Sequence, residues 1–148
     1  YEEAISVYAK MIDASDGGFD GVRDEGGIRA ALEFVQNDMY YPNFSDKLCS
    51  LVYKFCSGHY FNDGNKRIAL TLGAYFLYQN SYFWQATIFM RQMESIVYHV
   101  AASNIDQDLL HRIMTCFMNG EDYDEELKID IANAMSKGEL GVRGEDYE

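Results

Sequence analysis

The stretch HYFNDGNKR, His59 to Arg67, gathers an imidazole, a carboxylate, a glycine, two amide side chains and two adjacent cations into one short run. A histidine titrates near neutral pH and is the usual general base for a hydroxyl nucleophile. Asp63 suits magnesium, which takes one or two carboxylates together with substrate phosphates. Gly64 lets backbone approach a ligand closely, and the helix expected from Asn65 onward opens with unpaired N–H groups that favour an anion. Lys66 and Arg67 in that first turn oppose the helix dipole by about 0.3–1 kcal/mol each. A phosphate held by Arg67, Asn65 and the N–H groups would turn that cost into a gain. Base, metal carboxylate, anion nest and arginine are the parts of phosphoryl or nucleotidyl transfer. Taken singly, Asp63 or Asn65 reads as a helix cap, His59 as a loop histidine, and Lys66 and Arg67 as solvated charges. The bland reading weakens because all of them share one loop. The Walker A spacing fails, since Asn65 precedes Lys66, and HExxH fails, since no second histidine follows at the required position.

The flanking elements must hold this loop. Apolar periodicity predicts a helix over Glu2–Ala14, then a glycine-rich acidic loop from Ser15 to Gly27. A second helix is expected from Ile28 through Val35 toward Met39, broken by Met39–Phe44, where Pro42 disfavours helix at the residue before it. Ser45 or Asp46 is placed to cap a third helix ending near Ser57, with Leu48, Leu51, Val52 and Phe55 inward and Gly58 as a left-handed terminator. The helix from Asn65 is apolar nearly all round, so it is expected at the centre of the fold. Beyond Asn80-Ser81, Tyr82–Trp84 reads as a short extended piece. Residues 88–102 and 106–118 read as helices, and so does Glu125–Met135. Trp84, Met90, Met93, Met114 and Met118 are expected in packing roles, and His99 and His111 outside the site. The fold class is all-α, a bundle of about six or seven helices. It forms a single domain over 1–136 with a flexible tail over 137–148.

Composition narrows the function classes. The chain has 148 residues, 48% hydrophobic and 15% aromatic, enough for a real core. Its net charge of −12 and pI near 4.5 argue against general nucleic-acid binding, which needs cations to neutralise phosphates. Cys49, Cys56 and Cys116 are odd in number and lack CxxC spacing, so reduced buried thiols are expected. No apolar run is long enough to span a membrane. A cytoplasmic location is expected. The chain begins at Tyr1 rather than methionine, which fits a piece of a longer protein.

HYFNDGNKR resembles the HxFx[DE]GNxR loop of the Fic/Doc (Fido) family. The flanking GGFDGVRDEGGIRAALEFVQ and RIALTLGAYFLYQN are similar to the Doc-like, death-on-curing branch. The likeness runs over roughly residues 15–83. It implies a bacterial, toxin-like transferase using ATP and Mg2+ to modify a Ser, Thr or Tyr hydroxyl of a target protein. It implies that His59 is the base, Phe61 a buried anchor and Asp63 the magnesium ligand. Gly64, Asn65 and the Lys66 backbone would line the anion hole, with Arg67 as phosphate clamp. Asn37–Phe44 takes the place of the family's target-binding flap, where an extended segment adds to a strand and Tyr40, Tyr41 and Phe44 could touch the target or pack in the core. Tyr60 departs from the proline many members carry. Lys66 replaces the second glycine of the adenylylating GNGR form, and in Doc-type proteins it accompanies transfer of the γ-phosphate. The resemblance therefore leans toward phosphoryl transfer. AMP transfer is the alternative, and a catalytically silent binding module the second. The inhibitory pattern [ST]xxxE[GN] is missing, since Leu140 follows Ser136 and Asn119 follows Thr115 at the glutamate position. Restraint would fall to a separate antitoxin protein or another segment.

Overall fold

The computed structural model describes residues 1–14 and 21–146, with side chains over 1–11 and 21–137. Seven helices and no strand make up the described residues: α1 (Glu2–Ala14), α2 (Glu25–Val35), α3 (Phe44–Ser57), α4 (Asn65–Gln79), α5 (Phe83–Ala101), α6 (Gln107–Asn119) and α7 (Glu125–Asp146). The fold is all-α, as the periodicity requires. α3 and α4 form its centre: α3 packs on α2, α4, α5 and α6, and α4 packs on α1, α3 and α5. Leu48, Val52 and Phe55 from α3 and Ile68, Ala69 and Leu77 from α4 are fully buried. Burying a side chain of this size contributes roughly 1.5–3 kcal/mol. The loop His59–Gly64 thus joins the two best-anchored helices of the molecule.

Several boundaries differ from expectation, each for a local reason. α2 begins at Glu25 rather than Ile28, because the Asp24 carboxylate accepts the Gly27 N–H at 2.8 Å and caps the helix inside the glycine pair. It ends at Val35, so Met39 stands outside it and exposed. α3 starts after Asn43, whose own N–H donates to the Asp46 carboxylate at 3.1 Å, so Asp46 is the reciprocal partner and not the cap. Gly58 is not left-handed (φ −80°); the left-handed residue is His59 at φ 51°. Gly58 is required for space, since a Cβ there would lie 2.4 Å from the Tyr60 ring. Tyr82–Trp84 is not extended: Ser81 at φ 70° makes the turn and α5 starts at Phe83. Trp84 and Met90 are exposed, against the packing role expected of them, while Met93 and Met114 are fully buried.

Residues 38–40 form a turn and Phe44 already belongs to α3, so Asn37–Phe44 is not one extended segment. The Asn37 side-chain oxygen accepts the Met39 N–H at 2.9 Å, and its carbonyl accepts the Tyr41 N–H, which coils the segment back on itself. Helix α7 continues past Met135 to Asp146; of the tail expected over 137–148, residues 147–148 lie outside the described residues. His99 contacts Asn104 and His111 contacts Asp46, and neither bonds to a residue of the loop.

Gly73 sits where α4 meets α5, and a Cβ there would come within 2.5 Å of the Phe89 ring and 3.2 Å of Val52. Gly73→Ala is expected to destabilise the fold by about 1–3 kcal/mol through overpacking. A lowered urea midpoint measures this, and an unchanged or raised midpoint would contradict the close approach.

Candidate active site

The loop is pinned from three sides before any polar chemistry is considered. Phe61 is buried, stacked on Tyr8 with centroids 4.0 Å apart and lying 6.5 Å from Phe55. The Tyr8 hydroxyl donates to the Asp63 carbonyl at 3.1 Å, tying α1 to the far side of the loop. The backbone of Phe61 is closed by one side chain: its N–H donates to Asn65 Oδ1 at 3.1 Å, and its carbonyl accepts from Asn65 Nδ2 at 2.9 Å. The opposite edge pairs with residues before α2. Val22 and Phe61 form an antiparallel bridge, Asn62 N–H donates to the Gly21 carbonyl at 3.0 Å, and Arg23 N–H donates to the Tyr60 carbonyl at 2.8 Å. Successive peptide groups of an extended chain point alternately to either side, so residues 60 and 62 face this edge while Phe61 faces Asn65.

Tyr60, at the position where proline was the family's common choice, is a packed ring. It meets Phe55 edge-on at 5.2 Å and fills the space that Gly27 and Gly58 leave open. Burial, with Asp24 adding to it, pushes the Tyr60 phenol above its ordinary pKa. This residue therefore welds α2, α3 and the loop together.

The polar face points outward. Gly64 takes the left-handed conformation (φ 78°) and is the N-cap of α4, whose first intrahelical bond runs from Ile68 N–H to the Gly64 carbonyl at 2.9 Å. The N–H groups of Asn65, Lys66 and Arg67 have no partner among the described residues, as the start of a helix leaves them. Asp63 accepts the Gly64 N–H at 2.8 Å, and its other oxygen lies 3.8 Å from the Arg67 guanidinium. His59 is exposed and makes no hydrogen bond to a described residue. Together His59, Asn62, Asp63, Gly64, Asn65, Lys66 and Arg67 line one open cleft of ≈ 320 Å³, with Cys56 and Ala101 completing it.

His59, Asp63, Gly64, Asn65, Lys66 and Arg67, singled out from the sequence, thus share one cleft, while Tyr60 and Phe61 pack inward. Asn65 differs in detail, since its amide is spent on Phe61 and only its backbone N–H is available to an anion. The flap residues do not line the cleft. Tyr40 is exposed and touches Phe34, Tyr41 accepts from Lys54 Nζ at 3.3 Å, and Phe44 packs between Phe76 at 4.9 Å and Tyr82 at 4.5 Å. The sequence reading missed Tyr8, Gly21–Asp24 and Ala101. Tyr8 carried only the signal of an apolar helix position. Cys56 borders the cleft but is no nucleophile at neutral pH: burial pushes its thiol up to about 11, and it donates to the Val97 carbonyl at 3.3 Å.

Asp63 stands as a single carboxylate; the described residues hold no group of three or more His, Cys, Asp or Glu side chains placed to cage a metal. Such a donor set suits a cation that takes its remaining ligands from water and from substrate phosphates, as magnesium does.

A model of the Fic/DOC family matches residues 1–77, which spans α1, α2, α3, the loop and most of α4. The chain belongs to the Fic/DOC family. Comparison with curated proteins and with solved structures gives no match. Membership in this family suggests a protein-modifying transferase, and the matched span contains every residue of the cleft except Ala101.

Asn65→Ala removes both bonds to the Phe61 backbone. It is expected to cost about 1–3 kcal/mol, the penalty of leaving partly buried polar groups unsatisfied. Denaturant unfolding would register the loss, and amide exchange would show Phe61 N–H losing protection. Unchanged protection at Phe61 would contradict the clamp.

Proposed function

We propose that this Fic/DOC protein transfers the γ-phosphoryl group of ATP, with Mg2+, to a Ser, Thr or Tyr hydroxyl of a target protein. The observation that carries the reading is the meeting of an exposed imidazole, a carboxylate, unpaired helix N–H groups and a guanidinium in one cleft. His59 accepts the proton of the target hydroxyl, and its exposure leaves room for a macromolecular substrate. The N–H groups of Asn65, Lys66 and Arg67 take phosphate oxygens without reorganising, because Gly64 and the Ile68 bond already fix the turn. Arg67 clamps phosphate from one side, and Asp63 would hold the magnesium ion. When bound, that ion supplies charge neutralisation on the phosphate oxygens. The residue that favours γ-phosphoryl over AMP transfer is Lys66, a second cation on the cleft where the adenylylating form has glycine.

Restraint by a separate antitoxin protein in a bacterial cytoplasm belongs to the same reading. No helix among the described residues is long and apolar enough to cross a membrane.

Incubation of the protein and a cell lysate with ATP labelled at either the α or the γ position tests the reaction. Label from the γ position alone is expected, falling about 10²–10⁴-fold in His59→Ala, the usual contribution of a general base. Label from the α position would replace phosphoryl transfer by AMP transfer. Absence of His59-dependent label from either position would remove the enzymatic reading.

A further inference from the structure

Lys66 and Arg67 are neighbours in sequence, yet their charged groups part. The Arg67 guanidinium turns toward Asp63, whereas the Lys66 ammonium lies over the ring of Tyr98, 5.3 Å from its centroid. Tyr98 belongs to α5 and lies beyond the span matched by the family model. It stands three residues before Ala101, which lines the cleft, so both occupy one face of α5. The helix carrying it is fixed, because the flanking Val97 and Val100 are buried and the Cys56 thiol holds the Val97 carbonyl at 3.3 Å. The ring itself is 55% exposed and meets His99 edge-on at 5.3 Å, while His99 is in turn bound to Asn104 at 3.1 Å. An exposed tyrosine braced in this way has no core to fill, and the Lys66 ammonium lies against its ring.

We infer that Tyr98 is a positioning residue that holds the Lys66 ammonium at the α5 side of the cleft, so that the two cations bracket a polyphosphate from opposite ends. The inference rests on the nucleotide reading above. A cation within about 6 Å of an aromatic centroid is attracted by the ring quadrupole. That attraction draws the Lys66 charge away from the α4 N-terminus, where it opposes the helix dipole. It also draws it away from Asp63, which Arg67 already serves. The phenol oxygen has no part in the hold, so a phenyl ring suffices and an aliphatic side chain does not.

The test separates the geometry from the nucleotide. With lysines reductively methylated in 13C, which preserves their charge, the Lys66 methyl signal is assigned by its loss in Lys66→Met. In the nucleotide-free protein it is expected to show an upfield ring-current shift that survives Tyr98→Phe and disappears in Tyr98→Leu. In parallel, Tyr98→Leu is expected to weaken Mg–ATP binding several-fold, Tyr98→Phe to restore it, and Tyr98→Leu to add nothing in a Lys66→Met background. Absence of the ring shift in the unmutated chain overturns the inference. So does an equal loss of binding on Tyr98→Leu with or without Lys66. A chain that shows the shift but binds no nucleotide retains the contact and loses both the nucleotide reading and the positioning role.

Discussion

The arrangement depends on the anchoring of Phe61. Its ring is buried against Tyr8 while its backbone N–H and carbonyl are both taken by Asn65, the first residue of α4. The side chain holds the loop to the core, and the amide holds it to the helix that follows. Between these two fixed points the chain has little freedom, and Gly64 must take a left-handed turn to enter α4. The polar groups are therefore preorganised: Asp63, the free N–H groups and Arg67 converge because the residues between them are committed elsewhere. For the proposed phosphate site this means that little would have to rearrange when charge arrives.

Much of this was legible in the residues. The gathering of the loop's polar side chains, the central place of the helix after it and the all-helical fold follow from residue types and apolar spacing, and the Fic/DOC match over residues 1–77 agrees with the motif. What was hidden has a common cause. Asn65 reads equally as a phosphate ligand or a clamp, and only the position of Phe61's peptide groups decides. Tyr8 looks like any inward helix residue until its hydroxyl is seen to reach Asp63. Gly58 looked like a left-handed terminator, but its missing Cβ makes room for Tyr60, and His59 takes the positive φ instead. Periodicity reports which face of a helix is buried; it does not report which distant residue waits there. The expected extension of Asn37–Phe44 is not seen for a related reason, since the Asn37 side chain turns that segment through a local bond that competes with extension.

The charge distribution sets the cleft apart from the rest of the chain. The chain carries a net charge of −12, so most of its surface repels phosphates, while Arg67, Lys66 and the α4 N-terminus offer a local positive site. On the proposed reading, Asp63 inside that site would repel an uncomplexed polyphosphate and favour one that arrives with a divalent cation. Cation and anion binding would then fall to one short loop, which Tyr60 and the Gly21–Asp24 segment keep in place.

Calorimetric titration of the protein with Mg–ATP tests the central claim most directly, because it reads the cleft without requiring a known target. The account predicts saturable binding that needs the divalent cation and weakens at least about tenfold in both Asp63→Ala and Arg67→Ala, the scale of one lost charge-assisted contact. Binding in either variant as strong as in the unmutated chain, or no binding in the unmutated chain, would contradict it.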